Sequence, residues 1–220
     1  MNRRDFSALG LSALALGSAG LAQAQGGPIE GKHFKRLASP LPTTPGKIEV
    51  TEFFWYGCPH CYALEPMLQE WVKQLPPDVV FRRVHVGFRP NIKPHQKLFY
   101  ALDGLGKAEE YHQRVFAAFH QQRLELDDDK AIIALATKMG LDTAKFTAMY
   151  NSFGIESKLL QANKLFEAYN MDGVPAIAIG GRFWTSPSMV GERGMTEQEQ
   201  GMRALQVANS LIQRARSSKP

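Results

Sequence analysis

The chain's clearest structural signal is Trp55-Tyr56-Gly57-Cys58-Pro59-His60-Cys61-Tyr62. The preceding residues 47–54 (KIEVTEFF) are rich in strand formers and predict a buried strand. The following residues 59–75 carry apolar side chains at helical spacing and predict a helix that ends before two consecutive prolines. Residues 79–86 (VVFRRVHV) predict a second strand. The order strand, Cys-x-x-Cys, helix, strand therefore predicts a βαβ unit with the cysteine pair at the start of its helix.

The position of the cysteine pair gives its two sulfurs different chemistry. The first turn of a helix has unpaired backbone N–H groups and the positive end of the helix dipole, which favour a thiolate. We therefore expect Cys58 to be the exposed nucleophile. Cys61 lies one turn inside the helix and is expected to be the shielded resolving thiol.

The two residues between the cysteines fit this assignment. Pro59 suits the first helical turn, where a missing N–H costs nothing. A cationic or hydrogen-bond-donating His60 would stabilise the Cys58 thiolate and hence the reduced protein. A stable reduced form makes the corresponding disulfide a strong oxidant. His60 is therefore predicted to set the redox poise.

Two other uses of a Cys-x-x-Cys pair are disfavoured. A zinc site needs a second ligand pair with its own short spacing, but the chain has no other cysteine and its remaining histidines form no such pair. A structural disulfide stabilises by closing a long loop, and a bridge between Cys58 and Cys61 closes almost none. The pair is predicted to act in redox chemistry, without a metal.

The N-terminus predicts export. A charged start is followed by a small, apolar run (ALGLSALALGSAGLA) and by Ala22-Gln23-Ala24, which fits a signal-peptidase site. We predict a signal peptide over residues 1–24, cleaved before Gln25, and an exported mature protein. The apolar run is too short for a membrane anchor. Arg3-Arg4 also resembles a twin-arginine signal, so the export route stays open.

The rest of the chain predicts one domain with an insertion. Residues 93–169 predict five consecutive helices: 94–104, 107–119, 128–139, 142–150 and 155–169. Strand character returns at 175–179 (PAIAI), Gly180-Gly181 predicts a hairpin turn into 182–184, and residues 196–215 predict a closing helix. The predicted fold class is α/β, a thioredoxin-like core over 25–92 and 170–220 with an all-helical insertion over 93–169.

The overall charge gives no sign of a nucleic-acid partner. The formal charge is +5, and removing residues 1–24 takes away two arginines and one aspartate, which leaves +4. The basic residues are scattered and do not alternate with aromatic side chains as in a nucleic-acid-binding surface. We expect no nucleic-acid binding and a monomeric protein.

Three further residues near the cysteine pair are candidates for the site. Glu52 lies in the middle of an apolar strand, which predicts a buried carboxyl group with a raised pKa rather than one at a solvated strand edge. Trp55 and Tyr56 lie beside the turn and are predicted to form an exposed apolar lip that binds unfolded chains.

The motif and its surroundings resemble the bacterial periplasmic DsbA family. The resemblance is carried by Cys58-Pro59-His60-Cys61 followed by Tyr62 and preceded by Glu52-Phe53-Phe54. It continues through residues 30–32 (EGK), 75–76 (LP), 84–86 (VHV), 151–153 (NSF) and 173–176 (GVPA). It thus spans nearly the whole mature chain in the family's order.

The resemblance implies several properties of the site. Val174-Pro175 matches the family's cis-proline loop, whose backbone at Val174 would pair with an extended substrate strand. Glu52 matches a buried acid beneath the disulfide that relays a proton to or from Cys61. Arg83 stands where the family commonly has a lysine, and arginine holds its proton. No cofactor is required, and reoxidation is expected from a membrane quinone reductase of the DsbB type.

The predicted function is that of a dithiol oxidase, which donates the Cys58–Cys61 disulfide to newly exported proteins with free thiols. A disulfide isomerase or reductase is the nearest alternative. Isomerases of this fold usually add an N-terminal dimerisation domain, for which residues 25–46 are too few. A chaperone-like binding module with an incidental cysteine pair is the alternative from another class.

Overall fold

The computed structural model describes residues 26–217, so the predicted signal peptide lies outside the described residues. The strands are β1 Lys35–Arg36, β2 Ile48–Phe54, β3 Val79–His85, β4 Ala176–Ile179 and β5 Phe183–Thr185. The helices are α1 Pro59–Val72, α2 Lys93–Gly104, α3 Ala108–His120, α4 Asp129–Lys138, α5 Thr143–Tyr150, α6 Phe153–Ala168, α7 Pro187–Val190 and α8 Glu197–Ser217. None of these helices is both long and apolar enough to cross a lipid bilayer.

The five strands form one mixed sheet in the order β1-β5-β4-β2-β3. Strand β2 pairs in parallel with β3 and antiparallel with β4. All seven residues of β2 are buried, because helices cover both faces of the sheet at this central strand. The predicted βαβ unit, helical block and ββα ending are confirmed. The short edge strand β1 and the short helix α7 were not predicted.

Two apolar clusters hold the layers together. One joins Val50 and Ile177 of the sheet to Leu68 of α1 and Leu211 of α8. The other joins Phe53 and Phe54 to the side chains of α2–α6, including Leu98, Phe116 and Leu159. Because β2 contributes to both clusters, the strand that leads into the cysteine pair is fixed from both sides.

The helix boundaries follow from their caps. The predicted starts at 128 and 142 are one residue early, since Asp128 and Asp142 are N-caps whose carboxylates accept from the backbone N–H three residues on. Helix α1 ends at Val72 rather than 75. The residue before a proline avoids helical dihedrals, and Leu75 N–H instead donates to Val72 O at 3.2 Å in a tightened last turn.

The predicted hairpin turn between β4 and β5 is confirmed. Gly180 and Gly181 have φ angles of +61° and +66°, a left-handed conformation that glycine adopts readily, and Arg182 N–H donates to Ile179 O at 3.1 Å across the turn. A Cβ on Gly181 would also lie 2.3 Å from Leu41 O, so both the dihedral angle and the space at this position demand glycine.

Candidate active site

Cys58 is the N-cap residue of α1, with φ −83° and ψ 117°. Its N–H donates to Trp55 O at 3.0 Å, which closes the turn, and its carbonyl accepts the first helical bond from Tyr62 at 3.1 Å. Pro59 occupies the first helical turn. The first cysteine therefore sits at the helix terminus, as the sequence predicts, and both cysteines are free thiols.

The two thiols differ strongly in environment. Cys61 is fully buried, whereas Cys58 is 6% exposed. The prediction that Cys58 is exposed is therefore wrong, because the loop before β4 covers most of its side chain. Cys58 is nevertheless the more accessible of the two sulfurs. Burial raises the pKa of Cys61 well above that of an ordinary thiol, and the hydrogen bond and charge of Cys58 raise it further.

The pKa of Cys58 moves in the opposite direction, to about 6. The hydrogen bond from the Cys61 thiol is the largest cause, and the backbone N–H groups of Cys61 and His60 and the charge of His60 lower it further. Burial of Cys58 opposes these effects without cancelling them. A thiolate at Cys58 is thus stabilised by the helix terminus and by the buried thiol beside it.

The loop before β4 lies against the Cys58 sulfur. The Val174–Pro175 peptide bond is cis, which confirms the cis-proline expected in this loop. Val174 O lies 3.5 Å from Cys58 Sγ and accepts from it. The loop contributes backbone groups next to the sulfur, so an incoming chain would meet main-chain atoms of Val174 at the reactive thiol.

His60 contacts a residue that sequence reasoning missed. Its Nδ1 forms a hydrogen bond with Glu197 Oε1 at the start of α8. Both side chains are largely exposed, at 69% and 48%. The Glu197 hydrogen bond raises the pKa of His60, and the charges of Glu197 and Cys58 act in the same direction. No local signal identifies this pair, since the two residues are 137 positions apart.

Glu52 is buried, as predicted, and belongs to a charged cluster beneath the cysteines. Arg83 Nε donates to Glu52 Oε2 at 3.0 Å, and Arg83 Nη2 donates to Glu65 Oε1 at 3.0 Å. Burial raises the pKa of both Glu52 and Glu65 by more than the charge of Arg83 lowers it. These carboxyl groups can hold and release protons near neutral pH, where a solvated carboxyl could not.

The cluster also contains His112, whose Nε2 is 3.3 Å from Glu65 Oε2. One ligand atom each from Glu52, Glu65 and His112 lies within 4.8 Å of the others, a set of donors that metals use. Arg83 already donates to both carboxylates, so a divalent ion there would face a fixed positive charge. The cluster is better suited to sharing protons than to binding a metal.

Three histidines hold the main chain and side chain of Tyr56. Its N–H donates to His85 Nε2 at 3.2 Å, its carbonyl accepts from His120 Nε2 at 2.8 Å, and its hydroxyl bonds His112 Nδ1 at 3.0 Å. Tyr56 is completely buried. The prediction that it forms part of an exposed lip is therefore wrong, because its ring fills the space between the sheet and the helical block.

Trp55 is half-buried beside the turn. Its indole N–H donates to His95 Nδ1 at 2.9 Å, and its ring meets the edge of Phe88, which is 43% exposed. A Cβ on Gly57 would lie 2.4 Å from the Trp55 ring, so glycine lets the indole pack on the turn before Cys58. Phe88 was missed because it lies in an irregular loop that carries no periodic signal.

Of the residues that the sequence did not identify, only Glu65 had a local signal. The buried stripe of α1 runs through Cys61, Leu64, Glu65, Leu68 and Trp71. A glutamate in such a stripe needs a buried partner, and Arg83 supplies it. The histidines around Tyr56 and Trp55 come from β3, α2 and α3, and their spacing in the chain gives no indication that they converge.

Known proteins share this architecture and sequence. The family model of the DSBA-like thioredoxin domain matches residues 49–193. The thiol:disulfide interchange protein DsbA of Bordetella pertussis is 42% identical over 196 residues, covering 87% of this chain and 91% of that protein. The protein of the same name from Pseudomonas aeruginosa PAO1 is 36% identical over 189 residues, covering 86% of each chain.

Solved structures agree. The crystal structure of Pseudomonas aeruginosa DsbA superposes with a TM-score of 0.78 at 35% identity, covering 86% of this chain and 94% of that one. Reduced DsbA1 from Neisseria meningitidis gives a TM-score of 0.70 at 26% identity, covering 88% and 100%. The family-model match over residues 49–193 includes the Cys58–Cys61 turn, and the chain therefore belongs to the DsbA-like thioredoxin family.

Proposed function

We propose that the protein is a dithiol oxidase that donates the Cys58–Cys61 disulfide to unfolded exported proteins with free thiols. The observation that carries this proposal is the unequal pair of thiols at the start of α1. Cys58 is the more accessible of the two thiols and its pKa is lowered to about 6, whereas Cys61 is completely buried and its pKa is raised. A thiolate that is stabilised in the reduced protein makes the disulfide ready to accept electrons.

The reaction proceeds in two exchanges. A substrate thiolate attacks Cys58 Sγ, the Cys58–Cys61 bond breaks, and Cys61 leaves with its electron pair and takes up a proton. A second substrate thiolate then attacks the substrate sulfur of the mixed disulfide and expels Cys58 as a thiolate. The substrate has gained a disulfide, and the enzyme has gained two electrons and is left as the dithiol.

Four neighbouring groups support these steps. His60 favours the Cys58 thiolate by its charge. Glu52 exchanges the proton of Cys61 and passes it to Glu65 through the cluster beneath the cysteines. The backbone of Val174 pairs with the substrate chain beside Cys58 as an added strand. The half-buried Trp55 and the more exposed Phe88 that packs on it supply the apolar contact that Tyr56 does not.

The proposal includes export to the periplasm by the signal over residues 1–24. An oxidising compartment of this kind suits the reaction. It works as a monomer and is reoxidised by a membrane quinone reductase of the DsbB type. The helical insertion is assigned to residues 93–169 and the core to 25–92 and 170–220. The start of α2 at Lys93 and the end of α6 at Ala168 support this division.

The proposal is tested with reduced, unfolded ribonuclease. The oxidised protein is expected to convert ribonuclease thiols to disulfides in stoichiometric amounts and to be left reduced. Equilibration with glutathione is expected to leave the enzyme reduced under conditions that keep ordinary protein disulfides oxidised. A protein that binds unfolded ribonuclease without oxidising it would instead be a binding module, and a disulfide as stable as an ordinary one would indicate a reductase.

A further inference from the structure

We propose that Glu197 is a positioning residue of the redox site, which keeps His60 in its cationic form and thereby sets how strongly the Cys58 thiolate is stabilised. The inference rests on the proposed dithiol chemistry and assigns a second element, the start of α8, to its control. Its geometric basis is the direct contact between Glu197 Oε1 and His60 Nδ1, which joins the first turns of α1 and α8.

Glu197 takes no part in the capping box of its own helix. The N-terminus of α8 is closed by Thr196 and Glu199: Thr196 N–H donates to Glu199 Oε2 at 2.7 Å, and Glu199 N–H donates to Thr196 Oγ1 at 3.2 Å. This reciprocal capping box pairs the backbone N–H groups of Thr196 and Glu199. The Glu197 carboxylate is therefore available to reach across to α1.

The His60–Glu197 pair lies beside Cys58, the cysteine that the loop before β4 covers. His60 and Glu197 line one groove together with Val174, Pro175 and Ser188. Among the described residues lining this groove, only His60 and Glu197 have ionisable side chains. The charge of His60 is thus governed by two neighbours, Glu197 on α8 and Cys58 on its own helix, and both raise its pKa.

The consequence for Cys58 depends on pH. Above pH 6.5 a solvated imidazole is mostly neutral. His60 stays protonated to a higher pH, because its hydrogen bond with Glu197 raises its pKa. In that window its positive charge lowers the pKa of Cys58. The pair is exposed, so water and salt screen this effect, and we expect a tuning of the site rather than an all-or-none switch.

The test compares Glu197→Gln with Glu199→Gln. Both variants remove one carboxylate from the first turn of α8, but only Glu197 contacts His60, and glutamine at 199 can keep the capping box. Three quantities are measured: the His60 pKa by NMR titration, the Cys58 pKa by thiolate absorbance, and the glutathione equilibrium at pH 7. His60→Ser and the double variant His60→Ser/Glu197→Gln complete a double-mutant cycle.

Glu197→Gln is expected to lower the His60 pKa, to raise the Cys58 pKa by about half a unit, and to make the disulfide about threefold less oxidising. Glu199→Gln is expected to leave all three values at those of the parent. In the His60→Ser background, Glu197→Gln is expected not to raise the Cys58 pKa, because the cation through which Glu197 acts is gone.

Two results would overturn the proposal. One is a His60 pKa that Glu197→Gln leaves unchanged, and the other is a rise of the Cys58 pKa in Glu197→Gln that persists without His60. The parent protein separates this question from the proposed function. Failure of the parent to oxidise ribonuclease thiols removes the oxidase assignment, whereas an active parent with an unaltered Glu197→Gln variant removes only the role of Glu197.

Discussion

Arg83 lies directly opposite Glu52 in the parallel register of β2 and β3, and its guanidinium joins Glu52 to Glu65. A third branch of the same guanidinium donates to Glu109 at the surface. One planar cation thus serves three carboxylates from three elements, a geometry that a lysine ammonium on its flexible stem cannot hold with fixed directions. Arginine at this position fixes the charge beneath the cysteines while Glu52 and Glu65 keep their protons exchangeable.

The first prediction concerns Glu52. If its carboxyl accepts the Cys61 proton, Glu52→Gln should slow release of a mixed disulfide by the internal attack of Cys61 at Cys58, by roughly tenfold or more. Stopped-flow measurement of glutathione release from a preformed Cys58–glutathione adduct isolates this step. Glu49→Gln is the control, since Glu49 is a buried acid on the same strand that instead pairs with Arg82. Equal release rates in the parent and Glu52→Gln would exclude Glu52 from the mechanism.

The second prediction concerns Arg83→Lys. Charge alone would be conserved by this change, but the three-way contact would be lost, and the free energy of unfolding should fall by about 2 kcal/mol. Arg82→Lys on the same strand, where the side chain is 42% exposed, should cost less than about 1 kcal/mol. Denaturant melts compare the two. A similar small loss in both variants would show that only the positive charge matters at Arg83.

The third prediction concerns redox-dependent stability. The folded pKa of Cys58 is lowered from 9.0 to about 6, so the reduced form gains stability that is full above pH 9 and lost as pH falls through about 6. At pH 7 the gain is about 1 kcal/mol. Melts of both redox forms should show the reduced form more stable at pH 7, and this advantage should vanish near pH 5.

The same melts on His60→Ser should show a smaller difference in the free energy of unfolding between the reduced and the oxidised form. The glutathione equilibrium of this variant should show a less oxidising disulfide. The imidazolium is one of the groups that lower the Cys58 pKa, so its loss weakens the thiolate. A parent protein whose oxidised form is the more stable at pH 7 would argue against an oxidase.

The fourth prediction concerns the division of labour between the cysteines. In Cys61→Ala, the mixed disulfide at Cys58 lacks its internal resolving thiol and should persist on exported substrates. In Cys58→Ala, the fully buried Cys61 should capture almost nothing. Expression of each variant in the periplasm, followed by non-reducing gels, reveals the adducts. Equal trapping by the two variants, or trapping only through Cys61, would reverse the assignment of the nucleophile.

The fifth prediction concerns His95, which is buried and accepts from Trp55. Burial lowers its folded pKa, and this outweighs the opposing charge of Asp127. Its contribution to stability is therefore present above pH 6.5 and lost as pH falls below it, by up to about 1.4 kcal/mol per pH unit. His95→Gln keeps a hydrogen-bond acceptor for Trp55 without titrating, so the free energy of unfolding should depend less on pH below 6.5.

Trp55→Phe is the matched control for that measurement. It removes the indole donor but leaves His95 buried, so the free energy of unfolding should still fall as the pH drops below 6.5. An unchanged pH dependence in His95→Gln would show that other groups cause the loss of stability in acid.

The sequence by itself determined the elements and the location of the chemistry. Strand alternation, helical spacing, the cap at Asp128 and the glycines at 180 and 181 act over a few residues, so local rules place β2, α1, the helical block and the hairpin. Cys58 at the helix terminus follows from the same local order, and an acid within an apolar strand indicates that Glu52 is buried.

Only the tertiary structure decided which groups surround the cysteines. The contact between His60 and Glu197 joins residues 137 positions apart, and the histidines that hold Tyr56 reach it from β3 and α3. Tyr56 itself was predicted at the surface, because its exposure depends on how the helical block packs over the turn. Such contacts leave no periodic pattern in the sequence. They arise when the folded backbone brings separate elements together, and packing then fixes each side chain's partners.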